Sequence, residues 1–432
     1  MRTNLVGPEH CRRQVGGRLH LLVVLAVAVW LPLVATAANA RSAPTTPSSA
    51  PVVTSEAPLL PPRTITLVEE WRAGGEDGDI FFGMVVGTVA DGEGNVYVLD
   101  SQLAQVEVFA PDGAHLRTLG GEGDGPGEVR APQAVSFLSD GTLGIVKFFP
   151  GEIVRLTPDG IPQTSIHLTP AADGGKAQTG EVAAFGMECR GGTLLVAGQR
   201  SVPSEVGSSR RHFLARFSST GEELVRYREH DMELDFNAFR FVESTILPAF
   251  LLTSAVSPDG EVYTPAGRDR YAVEVYAADG ALERVIERRD RPRRRTDRER
   301  RRMNALVDAW GQGIPYEVPR EFDVFEPPIT ELFVDRDGIL WVQHARSGFD
   351  QKDGVFLTYD TFDRDGRWLQ EVSVVAEGDP TYDGVKFLDD GRALLIKGYV
   401  LARWASRGAR NATFDEDEEP GAIEIIGCRV VD

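Results

Sequence analysis

The densest chemistry in this sequence is cationic. Between Arg288 and Arg302 (RRDRPRRRTDRERRR), ten arginines stand against three acids, and Leu306, Val307 and Trp310 continue the run at helical spacing. Guanidinium groups pair bidentately with carboxylates and phosphates. Residues 288–310 read as a mostly exposed helix and a docking patch for an anionic surface or polyanion, with Arg294 and Arg301 as candidate contacts. The competing reading is a solvated helix that neutralises acidic loops of its own chain, such as Asp415–Glu419.

Three other stretches carry groups that suit recognition. Glu229–Ser244 (EHDMELDFNAFRFVES) mixes His230, Phe239 and Arg240 in one short span, a composition that suits either a ligand pocket or a loop packed on its own scaffold. Gly121–Glu128 (GEGDGPGE) has the glycines of a phosphate cradle. It lacks the Lys-Ser/Thr and helix that such a cradle requires, and its three acids repel phosphate. Its candidate functional residues are Glu128 and the nearby Arg130, aimed at a channel mouth. His344 and Arg346 open a fourth stretch, His344–Gly354.

Signals for catalysis are sparse. The seven histidines show no ligand spacing, and no Gly-x-Ser-x-Gly elbow follows residue 40.

The balance of the 432 residues is acidic: 46 Lys and Arg against 65 Asp and Glu, a formal charge of -19. Such a chain is unsuited to wrapping nucleic acid, which needs cations against phosphates, and no nucleic-acid partner is expected. The first forty residues read as a targeting segment. A basic start (Arg2, Arg12, Arg13, Arg18) precedes the apolar run Leu19–Ala35, and Ala38-Asn39-Ala40 supplies small residues for cleavage. An uncleaved anchor is the alternative. Export to the periplasm or the extracellular space follows from either reading. Residues 41–63, rich in Pro, Ser and Thr, read as an extended linker.

The elements that must position these groups announce themselves by repetition. Tight turns at Asp91-Gly92, Asp140-Gly141, Gly191-Gly192, Asp259-Gly260, Asp337-Gly338 and Asp390-Gly391 each precede a short β-prone run. A second set follows at Asp112-Gly113, Asp159-Gly160, Thr220-Gly221, Asp279-Gly280 and Asp365-Gly366. Each unit is thus two hairpins. Four-stranded units repeating at roughly 40–50 residues predict propeller blades. Six first turns predict six blades over residues 64–432, with a helical insertion at 288–328 between the fourth and fifth. The sixth unit lacks one strand, and Thr64–Trp71 is an orphan strand that would complete it beside Ala422–Val430 and close the ring.

Val96–Gly141 (VYVLDSQLAQVEVFAPDGAHLRTLGGEGDGPGEVRAPQAVSFLSDG) resembles the repeat of NHL-type six-bladed β-propellers. It is similar above all to exported bacterial propellers with a Gly-x-Gly-x-Gly-Pro-Gly-Glu loop between their first two blades. The resemblance implies an all-β fold and export, and names no reaction. In such a fold the Asp-Gly turns share one face. The loops carrying Glu128, Arg130, His230, Phe239, Arg240, Arg294, Arg301, His344 and Arg346 gather on the other.

Two functions stay open. One is a non-enzymatic, monomeric binding or scaffolding propeller whose loop face meets a protein, a polysaccharide or an anionic surface. The other is a metal-assisted hydrolase or lyase in the central channel, as in the gluconolactonase family, where Ca²⁺ or Zn²⁺ is held from several inner strands. The inner strands read as Val85–Thr88, Ala134–Phe137, Val182–Phe185, Leu252–Val256, Glu331–Val334 and Gly384–Phe387. Their carboxylates for a Ca²⁺ are limited to Glu331 with Asp383 beside it, short of the six or more oxygens a hard cation takes. No cofactor is expected. Cys189 and Cys428 fall in opposite blades, beyond the roughly 7 Å that a disulfide spans, and are expected to stay unpaired.

Overall fold

The structure, a computed structural model, describes residues 50–169, 181–405 and 421–432. The expected leader (1–40), the Asp415–Glu419 run and residues 41–49 of the expected linker lie outside the described residues.

Aspartate decides where the chain reverses. Asp91 Oδ1 accepts from the backbone N–H groups of Glu93 and Asn95, both at 2.9 Å. Asp112, Asp140, Asp279 and Asp390 accept in the same way from the residue two positions on, at 3.0–3.1 Å. A side chain that satisfies its own turn's donors makes the reversal local and cheap. The β-prone runs between turns then pair in sequence order.

The product is an all-β molecule in a β-propeller arrangement. The first sheet runs Val85–Ala90, Val96–Asp100, Gln105–Phe109, His115–Gly120. The second runs Pro132–Phe137, Leu143–Lys147, Glu152–Leu156, Pro162–His167. The third has longer strands, Glu181–Arg190, Thr193–Pro203, Gly207–Phe217 and Glu223–Asp235, so its central hairpin projects beyond its neighbours. The fourth comprises Ala255–Val256, Val262–Pro265, Ala272–Tyr276 and Leu282–Arg288. Val52–Ser55 joins its outer edge in parallel, so part of the segment expected as a free linker is a strand.

The remaining strands form one eight-stranded sheet made of two runs of four. Ile329–Val334, Leu340–His344, Val355–Phe362 and Trp368–Val375 make the first run. Gly384–Phe387, Ala393–Lys397, Glu424–Val431 and Arg63–Gly74 make the second. Arg63–Gly74 pairs antiparallel with Glu424–Val431 along Thr66↔Val431 to Gly74↔Glu424. It also pairs in parallel with Trp368–Val375 through Arg63↔Val372 to Thr66↔Val375.

Apolar faces of neighbouring sheets interdigitate. Tyr97 and Val106 meet Val135 and Ile145; Val146 and Ile153 meet Val196 and Phe213; Leu195 and Leu214 meet Val262 and Tyr276. Tyr263 and Ile286 meet Leu332 and Phe362, and Tyr359 and Val372 meet Ile65, Leu395 and Ile426. Trp71, Leu394 and Ile425 pack on Val85, Val98 and Phe109 of the first sheet. Cys189 and Cys428 are both free.

Among the described residues, three α-helices lie in the loops: α1 (Glu243–Ile246), α2 (Asp297–Trp310) and α3 (Tyr399–Trp404). The helix expected over 288–310 begins only at Asp297, because Arg288 ends a strand and Thr296 caps α2 reciprocally with Glu299.

The second turn of several sheets rests on the outer strand of another. Gly113 lies on Trp71, Gly160 on Leu119, Gly221 on His167, Gly280 on Val225 and Gly366 on Ile286. At Gly113 φ is +87°, and a Cβ would stand 2.4 Å from Trp71 Cβ, so glycine is required for both conformation and space. Gly113→Val is expected to destabilise the protein by on the order of 3 kcal/mol. Gly92→Ala, where a Cβ meets nothing within 4 Å, is expected to be neutral. Paired chemical denaturation curves check both.

Candidate functional site

The innermost strands bring together charged groups that lie far apart in sequence. Arg190 ends the inner strand of the third sheet. Its Nη1 donates to the carbonyl oxygens of Val256 (3.4 Å) and Val334, and its Nη2 to Asp389 (2.8 Å). One guanidinium thus ties the third sheet to the fourth and to both halves of the eight-stranded sheet, at the end where the Asp-Gly turns lie.

Deeper along the axis, Glu331 forms an ion pair with Lys386 and lies 3.7 Å from Arg403 Nη1. Arg403 comes from α3, which follows Ala393–Lys397, and its Nη2 also donates to Leu252 O at 3.5 Å. The Lys386 ammonium sits 5.2 Å from the Tyr399 ring centre. Burial works to raise the Glu331 carboxyl, but Lys386 and Arg403 outweigh it and hold the group below its ordinary range.

Glu188 faces the same space with a single hydrogen bond, from Val256 N at 3.1 Å. Desolvation pushes its carboxyl up to about 7, against the pull of Arg190 and Lys386 and with the push of Asp389. The inner strand read from sequence stopped at Phe185, so Glu188 and Arg190 were missed. The signal was present: the strand has to continue to the Gly191-Gly192 turn.

Both carboxylates weighed for a channel Ca²⁺ already have partners of their own. Glu331 is already neutralised by two cations. Asp383 accepts from Asp379 N (2.9 Å), Gly398 N (3.0 Å) and Lys397 Nζ (3.1 Å). Among the described residues, no group of three His, Cys, Asp or Glu is placed to hold a metal.

The loop side carries a second core. Phe241, Met303, Leu306, Val307 and Val318 are buried together, with Phe239, Trp310, Phe322 and Trp404 packed around them. The basic segment is built into this cap and is not the mostly exposed helix expected from its charge. Arg293, Arg295 and Arg302 are buried. Arg295 reaches Glu243 (2.6 Å) and Glu326 (2.6 Å), while Arg268 grips Glu243 and Asp323 from the fourth sheet. Arg293 Nη1 donates to Glu299 at 3.0 Å. Glu243, Glu299 and Glu326 thus meet the buried arginines Arg293 and Arg295 within the cap. Beside the cap lies a half-open groove of about 780 Å³, lined by Arg228, Arg268, Asp323 and Phe325 among others. Val324 and Phe325 are exposed at 56% and 42%.

The residues singled out from sequence do not converge. Glu128 folds back on its own loop and accepts from Gly125 N at 2.9 Å. Arg130 pairs with Asp124 (2.8 Å) and Glu122 (3.5 Å) in that loop. Phe239 belongs to the cap core, Arg240 meets Glu321 (2.9 Å) on its surface, Arg294 lies 5.4 Å over Phe325, and Arg301 is on the exposed side of α2. His344 is buried, held down to about 4 by desolvation, while Arg346 pairs with Asp350. His230 stands on the third sheet, stacked on His212.

No family model matches this chain, and no curated protein does either. Solved structures similar to it include a gluconolactonase from Xanthomonas campestris, at 14% identity with a TM-score of 0.40, over 84% of this chain and 98% of that one. The calcium-binding protein regucalcin from Agrobacterium tumefaciens is 12% identical with a TM-score of 0.40, over 85% and 96%. Virginiamycin B lyase from Staphylococcus aureus is 11% identical with a TM-score of 0.37, over 77% and 81%. These likenesses say nothing of reaction, ligand or metal.

Glu188 makes stability fall with pH. Below its ordinary value of 4.5 the carboxyl is protonated in both states. As pH rises from there to about 7, the unfolded chain ionises while the native state keeps its proton, and stability is lost. Above about 7 the penalty is complete, at roughly 3 kcal/mol. Glu188→Gln is expected to raise the melting temperature over wild type at pH 8 and to leave it unchanged at pH 4. Scanning calorimetry at both values checks this.

Proposed function

We propose that this chain is an exported, non-enzymatic binding protein. On this reading it is a six-bladed propeller of four-stranded blades, acting in the periplasm or outside the cell and presenting its capped loop face to a partner.

Three features support the blade count and the closure. The eight-stranded sheet divides into two runs of four at the parallel Trp368–Val375 and Arg63–Gly74 junction. The six apolar clusters between sheets form a cyclic series, ending with Trp71 and Leu394 against Val85 and Phe109. Gly113 rests on Trp71 as Gly160 rests on Leu119 and Gly221 on His167.

One observation carries the functional reading: the axial carboxylate Glu331 is spoken for by Lys386 and Arg403. In a metal-assisted hydrolase the corresponding carboxylates would have to be open toward a cation and a substrate. Here the charges are balanced internally, Arg190 braces one end of the axis, and Arg403 braces Glu331 from the loop side. The loop face, by contrast, carries a packed cap with an open, partly apolar groove, and function commonly rides on loops held by a rigid scaffold.

The two functional classes part at Glu331. In a structural role, Glu331→Gln leaves Lys386 and Arg403 without their counter-charge and lowers stability by about 2 kcal/mol. It leaves calcium or zinc affinity and lactone hydrolysis at the buffer level seen for wild type. Metal-dependent lactone hydrolysis by wild type, abolished by Glu331→Gln with the melting temperature unchanged, would establish the channel enzyme instead.

A further inference from the structure

The projecting hairpin of the third sheet holds a set of polar groups away from the axis. Its register places Gln199, His212 and His230 in one cross-strand row, and Ser201, Arg210 and Met232 in the next row on the same face. His212 is 3% exposed, and its Nε2 lies 3.2 Å from Gln199 Oε1. The His212 and His230 rings are parallel, 7° apart in plane, with centres at 6.1 Å. Phe185 closes on His212 edge-on at 6.5 Å, and Phe148 backs Phe185 at 5.8 Å.

This face is short of acceptors. Arg210 Nε, His212 Nδ1 and His230 Nε2 are all buried without a hydrogen-bond partner. Arg210 Nε can only donate. The Gln199 side chain can present its oxygen or its amide to His212, so either imidazole tautomer is available and Nδ1 can carry the proton. On the adjoining strand Glu229, Asp231 and Glu233 alternate with His230 and Met232 and so fall on the opposite face, where Arg211 engages Asp231 at 2.5 Å. Each buried polar atom left unpaired costs about 1–3 kcal/mol, and three of them on one face, one an obligate donor and two that donate in the matching tautomer, suit the oxygens of an anion. Water could satisfy each donor singly, but it brings no charge to offset a desolvated guanidinium. Burial alone lowers the Arg210 pKa, with no counter-charge acting on it.

We infer that Arg210, His212 and His230 form a binding site for an oxyanion: a carboxylate, sulfate or phosphate group. Arg210 supplies the charge, each neutral imidazole supplies one N–H donor in the tautomer that protonates its unpartnered nitrogen, and Phe185 gives the site an apolar wall. Gln199 is a positioning residue that sets the His212 tautomer. The anion reaches the site either as a free ion or as the acid group of a sugar, since both present the same oxygens. The inference is independent of the loop-face reading, because the hairpin would hold the site in an enzyme as well.

The test is titration calorimetry on the full-length protein at constant ionic strength. Probes are sodium sulfate, sodium phosphate and an oligogalacturonate. The expected result is saturable one-to-one binding of at least one probe, weakened about tenfold or more by Arg210→Gln and by His230→Gln, since charge-assisted hydrogen bonds are the strong ones. Arg429→Gln, an exposed cation on another sheet, leaves it unchanged. Binding of sulfate or phosphate identifies a free-ion site, and binding of the oligogalacturonate alone identifies a sugar acid. Should the variants fail to fold, the wild-type melting temperature decides: it rises in the binding probe relative to chloride at equal ionic strength. No saturable heat and no such rise with any probe up to about 10 mM, a threshold below which even weak sites register, overturns the inference. So does binding that Arg210→Gln and His230→Gln leave intact.

Discussion

A single strand, Arg63–Gly74, has a partner on each edge, and much of the molecule hangs on it. Its first four residues, Arg63–Thr66, run parallel to Trp368–Val375, and most of its length runs antiparallel to Glu424–Val431. No other described strand joins two four-stranded runs into one sheet. Trp71 is where it bears hardest. The indole stacks on Phe109 at 5.5 Å, lies under Gly113, and leaves no room for a side chain at position 427, where a Cβ would stand 2.1 Å from its Cε2. Two glycines distant in sequence are thus fixed by one tryptophan. Just upstream, Val52–Ser55 lies on the fourth sheet, and Leu59 and Leu60 donate to Trp368 O and Leu369 O. The N-terminal segment therefore straps successive sheets together before it completes the last one.

Charge does the work inside that frame which apolar packing cannot. Long cations reach across the axis: Arg190 to two inner strands and the turn at Asp389, Lys386 and Arg403 to Glu331. On the loop side, Glu243 sits 1% exposed between Arg268 and Arg295, with Asp323 N donating at 3.0 Å. A buried carboxylate tolerates that position only when its lone pairs are met from several directions. The arrangement anchors the cap to the fourth sheet. It also explains why so acidic a protein concentrates arginine in one insertion: several of those arginines serve the chain's own glutamates.

The repeat was legible in the sequence because its cause is local. An aspartate that bonds its own turn, followed by a glycine at positive φ, is written within four residues. The role of Thr64–Trp71 could be reasoned from a missing strand elsewhere. The side-chain sites were harder to read. Arg288–Arg302 looked like surface because charge density suggests solvent, and its partner Glu243 stands some fifty residues upstream. Glu188 and Arg190 were hidden by a strand cut short at Phe185. The donors of Arg210, His212 and His230 become visible only once the register sets them on one face, since nothing in their spacing along the chain announces it.

Native-state hydrogen exchange, resolved by segment, tests the central claim about the Arg63–Gly74 strand most directly. If the strand holds the sheets together, its amides between Ile65 and Ala73 exchange as slowly as those of Glu424–Val431 and Trp368–Val375. All three segments then open in one global event whose free energy equals that of unfolding. Amides of Arg63–Gly74 exchanging as fast as the turns, while Glu424–Val431 stays protected, would show a strand laid on a structure that stands without it.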